Sequence, residues 1–202
     1  MISFSSLKQI ATICLAAALL AGCSRSPRVV YYTLNATAAP ETATQALEAV
    51  VIGQVTLPEL LDRPQFVVTV DANRVDILEM QRWAAPLKSE IPRIIAANLA
   101  ALLQPTRVAA YPQNAGLDAA YRIQLYVQRF AMTEGKGVDL DFLWSVHGVN
   151  GDTLQSGRAT FSETVTTSGY EALVAAQSRV LAAVSRELAQ ALLRVAVPAN
   201  MK

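Results

Sequence analysis

The sequence predicts an α+β fold: a mainly antiparallel sheet with two long helices packed on one face, in a single domain. Three observations carry that expectation. Tyr121 to Phe130 and Val138 to Val146 alternate apolar and polar residues with the period of a half-buried strand. Leu87 to Leu103 and Gly169 to Val195 instead repeat apolar residues at helical spacing. The order along the chain is strands, helix, strands, helix.

The first element is an address. Lys8 supplies a positive start, and Ile10 to Leu20 form an apolar run of about 11 residues, against about 20 for a membrane-spanning helix. That length suits a secretory signal. Leu20-Ala21-Gly22-Cys23 follows, an aliphatic residue and two small ones before a cysteine, which is the bacterial lipobox pattern. Residues 1–22 are therefore expected to be a lipoprotein signal peptide cleaved between Gly22 and Cys23, with Cys23 acylated. Three acyl chains, at about 0.8 kcal/mol per buried methylene, make a stable anchor. Ser24 stands where an aspartate would signal inner-membrane retention, so the expected address is the periplasmic face of the outer membrane. Residues 23–28 are a short tether. Its five residues after the cysteine reach about 17 Å at full extension, which keeps the body near the bilayer.

The domain is expected over residues 29–202. Val29 to Leu34 is strand-like, and Ala36 to Ala46 is a loop. Leu47 to Thr56 is apolar on both faces, as a central strand would be. Pro58 and Pro64 confine Leu57 to Pro64 to a turn or loop. Gln65 to Asp71 and Arg74 to Met80 flank Ala72-Asn73 as a hairpin. Pro86 suits the start of the first helix, and Pro92 suggests an irregular first turn or a start nearer Ser89. The turns at Gly135-Lys136-Gly137 and Asn150-Gly151-Asp152 join three later strands into a meander, the last around Gly157 to Thr166. Ser168 and Glu171 have capping-box spacing before the long second helix, which Pro198 closes.

Composition narrows the function. With 202 residues, 17 Lys+Arg against 16 Asp+Glu, the chain lacks the basic excess of a nucleic-acid binder. Cys14 leaves with the leader, so processing leaves Cys23 alone and no disulfide framework. The single histidine, His147, shares a polar strand face with Asp139 and Asp141. Asp141 lies six residues away, about 20 Å along an extended strand, so the two cannot hold one metal. Gly135-x-Gly137 lacks a dinucleotide-loop context, and no Walker or G-x-S-x-G sequence occurs. Glu59 and Asp62 read as loop charges. The expectation is a non-enzyme with no cofactor and no metal.

Further residues carry a resemblance. The lipobox followed by Tyr31-Tyr32-Thr33-Leu34, then Val51 to Pro58, Leu61-Asp62-Arg63-Pro64-Gln65, Arg82 to Leu87, Tyr121-Arg122-Ile123 with Arg129-Phe130, and Tyr170 to Val174 together resemble the ABC-type transport auxiliary lipoprotein family, the PqiC-like group. The resemblance covers nearly the whole mature chain. One departure is Gln177, where a smaller or apolar residue is expected. The resemblance implies an outer-membrane lipoprotein of an envelope lipid-transport system that supports membrane integrity. Its partners would be an MCE-domain periplasmic protein and that protein's inner-membrane transporter.

The candidate partner surface is Tyr31, Tyr32, Leu60, Leu61, Arg82 and Trp83, because Tyr, Trp and Arg commonly anchor interfaces. Burial in the core is the competing expectation for Trp83 and for one of the two tyrosines. A homo-oligomer and a monomer fit the sequence equally. The alternative function is a periplasmic lipid-binding or outer-membrane assembly lipoprotein not tied to a transporter. A lipid binder of that kind would need a deep apolar pocket between sheet and helices.

Overall fold

The computed structural model describes residues 27–41, 47–113 and 116–196. The expected leader, its cleavage site, Cys23 and Pro198 lie outside the described residues. The strands are β1 (Val30–Tyr32), β2 (Val50–Thr56), β3 (Gln65–Thr69), β4 (Val75–Trp83), β5 (Val108–Ala110), β6 (Tyr121–Thr133), β7 (Gly137–His147) and β8 (Thr153–Thr164). Helix α1 spans Leu87–Leu102 and α2 spans Tyr170–Ala196, and Glu59–Leu61 forms a 3₁₀ turn. Pro92 stands inside α1, which nonetheless begins at Leu87 with Pro86 as its N-cap.

The fold is α+β, but the sheet is mixed. Its eight strands run β1-β4-β3-β6-β2-β5, with β7 and then β8 joined through β6. The long β6–β7 and β7–β8 pairings and the β3–β4 hairpin are antiparallel. The β1–β4, β2–β5, β2–β6 and β3–β6 pairings are parallel. Apolar alternation sets which face a residue occupies, not the direction of the neighbouring strand, so these pairings escape a sequence reading. Strand β5 also escapes it: three half-buried residues are too short to show a period.

Val138, Leu140, Phe142, Trp144 and Val146 are all buried, as their alternation requires. On β6 the alternation holds from Tyr121 to Val127. The register against β7 then shifts between Val127 and Arg129, and Phe130, Ala131 and Met132 are buried in succession. This bulge is why β6 continues past the point where its pattern fades. Leu125, Val127, Phe130, Leu140 and Phe142 meet Ile91 and Ile95 of α1 and Leu181 and Val184 of α2 around a void of only about 10 Å³. That layer is packed solid, with no room for a ligand.

Phe66 ties the other end together. It is fully buried, 4.8 Å from the Tyr32 ring, 4.4 Å from Trp83 and 6.1 Å edge-on from Tyr170. One side chain of β3 thereby joins β1, β4 and the first turn of α2. Each aromatic contact adds about 0.5–1.5 kcal/mol beyond the area it buries. Phe66→Ala should destabilise the domain by about 3–5 kcal/mol in chemical denaturation. A loss below about 1 kcal/mol would mean that the three rings do not depend on it.

Candidate functional site

The sequence-predicted surface residues separate by burial. Tyr32 faces the core: its ring lies on Phe66 and its hydroxyl donates to Gln81 Oε1 at 2.9 Å. The same hydroxyl reaches Glu171 Oε1 at 3.4 Å. Burial first, and the Glu171 carboxylate second, push its pKa up, so the phenol stays a donor. Trp83 is also buried, its ring tilted against Phe66. A partner could reach Trp83 only by opening the core, so it leaves the candidate surface. The strand period explains both outcomes, since Tyr32 and Trp83 are register partners and share the covered face.

Tyr31 points the other way and is 62% exposed. Leu60, on the 3₁₀ turn, is 40% exposed, whereas Leu61 beside it packs against the core. Arg82 is held by its own strand: its Nε donates to the Glu79 carbonyl at 2.8 Å and a terminal nitrogen to the Glu79 carboxylate at 3.2 Å. Asp62 accepts Lys88 Nζ at 2.7 Å, which pins the turn to the start of α1.

The structure adds residues to this surface. Val75, Ile77 and Met80 are exposed apolar residues of β4. Strand β4 pairs with β1 only through Gln81, Arg82 and Trp83, so its outer edge from Val75 to Met80 has no strand neighbour among the described residues. Ile77 pairs with Val67, one position from the core-facing pair of Phe66 and Leu78, so it lies on the same open face as Tyr31.

Beside this strip the sheet parts. Strand β2 pairs with β6 as far as Tyr126, and β3 pairs with it only at Met132 and Thr133. Between these stretches, where β6 carries its bulge, a cavity of about 590 Å³ opens to solvent. Leu60, Leu61, Val67, Val75 and Phe130 are its apolar lining, and Arg74 and Arg129 line it too. Behind it lies a void of about 10 Å³ that shares Leu61, Val67 and Phe130 with it and is also lined by Gln177. Gln177 is buried and its Oε1 has no hydrogen-bond partner. The residue that departs from the expected pattern thus sits where the sheet separates.

The histidine and aspartates singled out in the sequence make local contacts of the sheet. His147 Nε2 lies 2.8 Å from Ser145 Oγ, and its Nδ1 lies 3.2 Å from the Gly151 carbonyl and 3.3 Å from Thr153 Oγ1. It pins the turn between β7 and β8. Asp141 pairs with Arg158, whose hydrogen bond draws the carboxyl pKa down, and Asp139 accepts the Ser162 hydroxyl. Among the described residues no group of three His, Cys, Asp or Glu side chains could hold a metal ion.

The family model of the ABC-type transport auxiliary lipoprotein component matches residues 32–189. Two solved structures share the fold. A crystal structure of an uncharacterised protein is 20% identical, with a TM-score of 0.68 over 82% of this chain and 99% of that one. A Xanthomonas campestris protein of the DUF330 family is 14% identical, with a TM-score of 0.69 over 82% of this chain and 96% of its own. No curated protein matches.

An unpaired buried acceptor costs about 1–3 kcal/mol. Gln177→Leu should therefore raise the denaturation free energy by roughly 1 kcal/mol, read from the urea midpoint at constant slope. A fall of that size would show that the amide holds a partner worth more than the orphaned oxygen costs.

Proposed function

Starting from the fact that the chain belongs to the ABC-type transport auxiliary lipoprotein family, we propose that it is the outer-membrane-anchored component of an MCE/ABC-type envelope lipid-transport system. Acylated Cys23 holds it at the periplasmic face. There it docks the MCE-domain assembly that brings cargo across the periplasm, and so supports membrane integrity. The work is recognition without chemistry.

The observation that supports this reading is a set of exposed apolar side chains: Tyr31 on the open sheet face and Leu60 on the 3₁₀ turn. Val75 and Ile77 extend the same strip. Exposed apolar side chains gathered on one side of a sheet mark an interaction site. The solid layer between sheet and helices weighs against a carrier that encloses its ligand there. Among the described residues no helix is long and apolar enough to cross a membrane, so in this reading attachment falls to the acyl chains.

Cys23→Ser should accumulate as an unprocessed precursor and disappear from the outer-membrane fraction. Undiminished fractionation with that membrane would end the anchoring account. Docking is tested separately in the lipidated protein. Leu60→Asp, at an exposed position, should weaken recovery of the MCE-domain protein from envelopes about tenfold, as loss of an anchor contact does. Unchanged recovery would move the dock away from this face.

A further inference from the structure

We propose that the outer edge of β8 takes up an extended, acidic segment of a partner protein as an added strand of the sheet. The inference goes beyond the docking face, because it concerns a border of the sheet to which neither Tyr31 nor Leu60 belongs. Strand β8 is 12 residues long and pairs only with β7, so its other edge has no strand neighbour among the described residues. Val165 N–H donates to the Lys136 carbonyl, in step with the pairing of Thr164 and Gly137. Counting back in twos, Glu163, Phe161 and Ala159 bond to β7, whereas Thr164, Ser162, Thr160, Arg158 and Ser156 turn their N–H and C=O groups outward. That row is a template for one more strand.

Sheet edges are usually guarded by brevity, charge, bulges or proline. Strand β5 follows that rule, with three residues set between Pro105 and Pro112. The free stretch of β4 follows it too, since it carries Asp76 and Glu79 and ends where β1 covers the strand. Strand β8 holds neither proline nor lysine, and its one register irregularity lies at its start, beside His147. Its two charges are engaged, Arg158 with Asp141 and Glu163 with Arg179. On the open face it presents the hydroxyls of Ser156, Thr160, Ser162 and Thr164, which suit a neighbour bearing threonine. On the other face α2 packs over β8, and Ala159 and Phe161 are only half-buried there, so an apolar side chain alongside completes their cover. The charge of the occupant follows from the helix. Arg179, which reaches Glu163, and Arg186, seven residues on, share one stripe of α2. Arg186 is exposed, and its guanidinium has no partner among the described residues. A carboxylate on a strand laid along β8 beneath that stripe supplies one.

The test uses the full-length lipidated protein in a nonionic detergent. Its probe is a fluorescent synthetic peptide in which threonine alternates first with valine and then with glutamate; a counterpart carries lysine in place of glutamate. Fluorescence anisotropy should show saturable binding of the glutamate peptide about tenfold tighter than that of the lysine peptide. Methylating the backbone nitrogens along the peptide edge that meets β8 should abolish binding, because strand addition uses those N–H groups. Arg186→Glu, at an exposed helix position, should reverse the preference between the two peptides. Thr160→Pro, which removes an outward N–H from an edge strand, should weaken binding of both. If that variant fails to fold, the Arg186→Glu exchange decides. Equal affinity for the two peptides, binding that survives methylation, or a preference unmoved by Arg186→Glu would overturn the proposal. A dimer in sedimentation velocity that Thr160→Pro converts to a monomer would overturn it as well, since the edge would then belong to a second copy. None of these measurements involves the Leu60 face, so the docking proposal stands apart from them.

Discussion

The architecture turns on one strand that cannot satisfy two neighbours at once. Along one edge β6 pairs with β7 in eleven register positions, a long ladder interrupted by a single bulge. Its other edge is divided between β2, which holds the first half, and β3, which returns only at Met132 and Thr133. The chain must leave the sheet after Thr56, pass through the Pro58–Pro64 turn and come back on a different line. A flat, continuous edge is therefore unavailable, and the cavity is the geometric remainder. Its walls come from each segment that takes part in the detour: the turn, the β3–β4 hairpin and the bulged stretch of β6.

That detour needs a fixed end, and Phe66 supplies it. The ring contacts of Phe66 with Tyr32, Trp83 and Tyr170 bring the first strand, the hairpin base and the start of α2 to one point. Buried aromatic packing of this kind is stiff, because each ring has few rotamers and none can move without leaving a void. The consequence reaches the chain's N-terminal side. Tyr31 is held outward because Tyr32, its immediate neighbour, is held inward.

Much of this was legible in the sequence, and its limits have physical causes. Strong periods gave β6, β7 and both helices, because each faces a single apolar core and the alternation records that face. The Pro-bounded Leu57–Pro64 stretch also read correctly as a turn. What the sequence could not convey was direction and separation. Parallel pairing of β2 with β6 leaves no trace in a period of two, and the cavity arises from strands that fail to pair, which no residue pattern encodes. Of the residues singled out as a candidate partner surface, Tyr31 and Leu60 are exposed. Trp83 was drawn inward by Phe66, a contact between residues 17 positions apart. Val75 and Ile77 stand out only because the outer edge of β4 has no strand neighbour among the described residues.

Orientation joins these features into one argument. If residues 23–28 are the tether, the body cannot stand far from its leaflet, and β1 is the strand nearest the anchor. Strand β1 lies parallel to the base of β4, and β4 runs on into the hairpin whose Arg74 and Val75 border the cavity. The apolar strip along β4 therefore leads from the anchored end toward the opening in the sheet. A rigid body held in this way presents the same face to the same depth of the envelope each time. A tethered protein that acts by recognition needs that constancy, and a long flexible stalk would remove it.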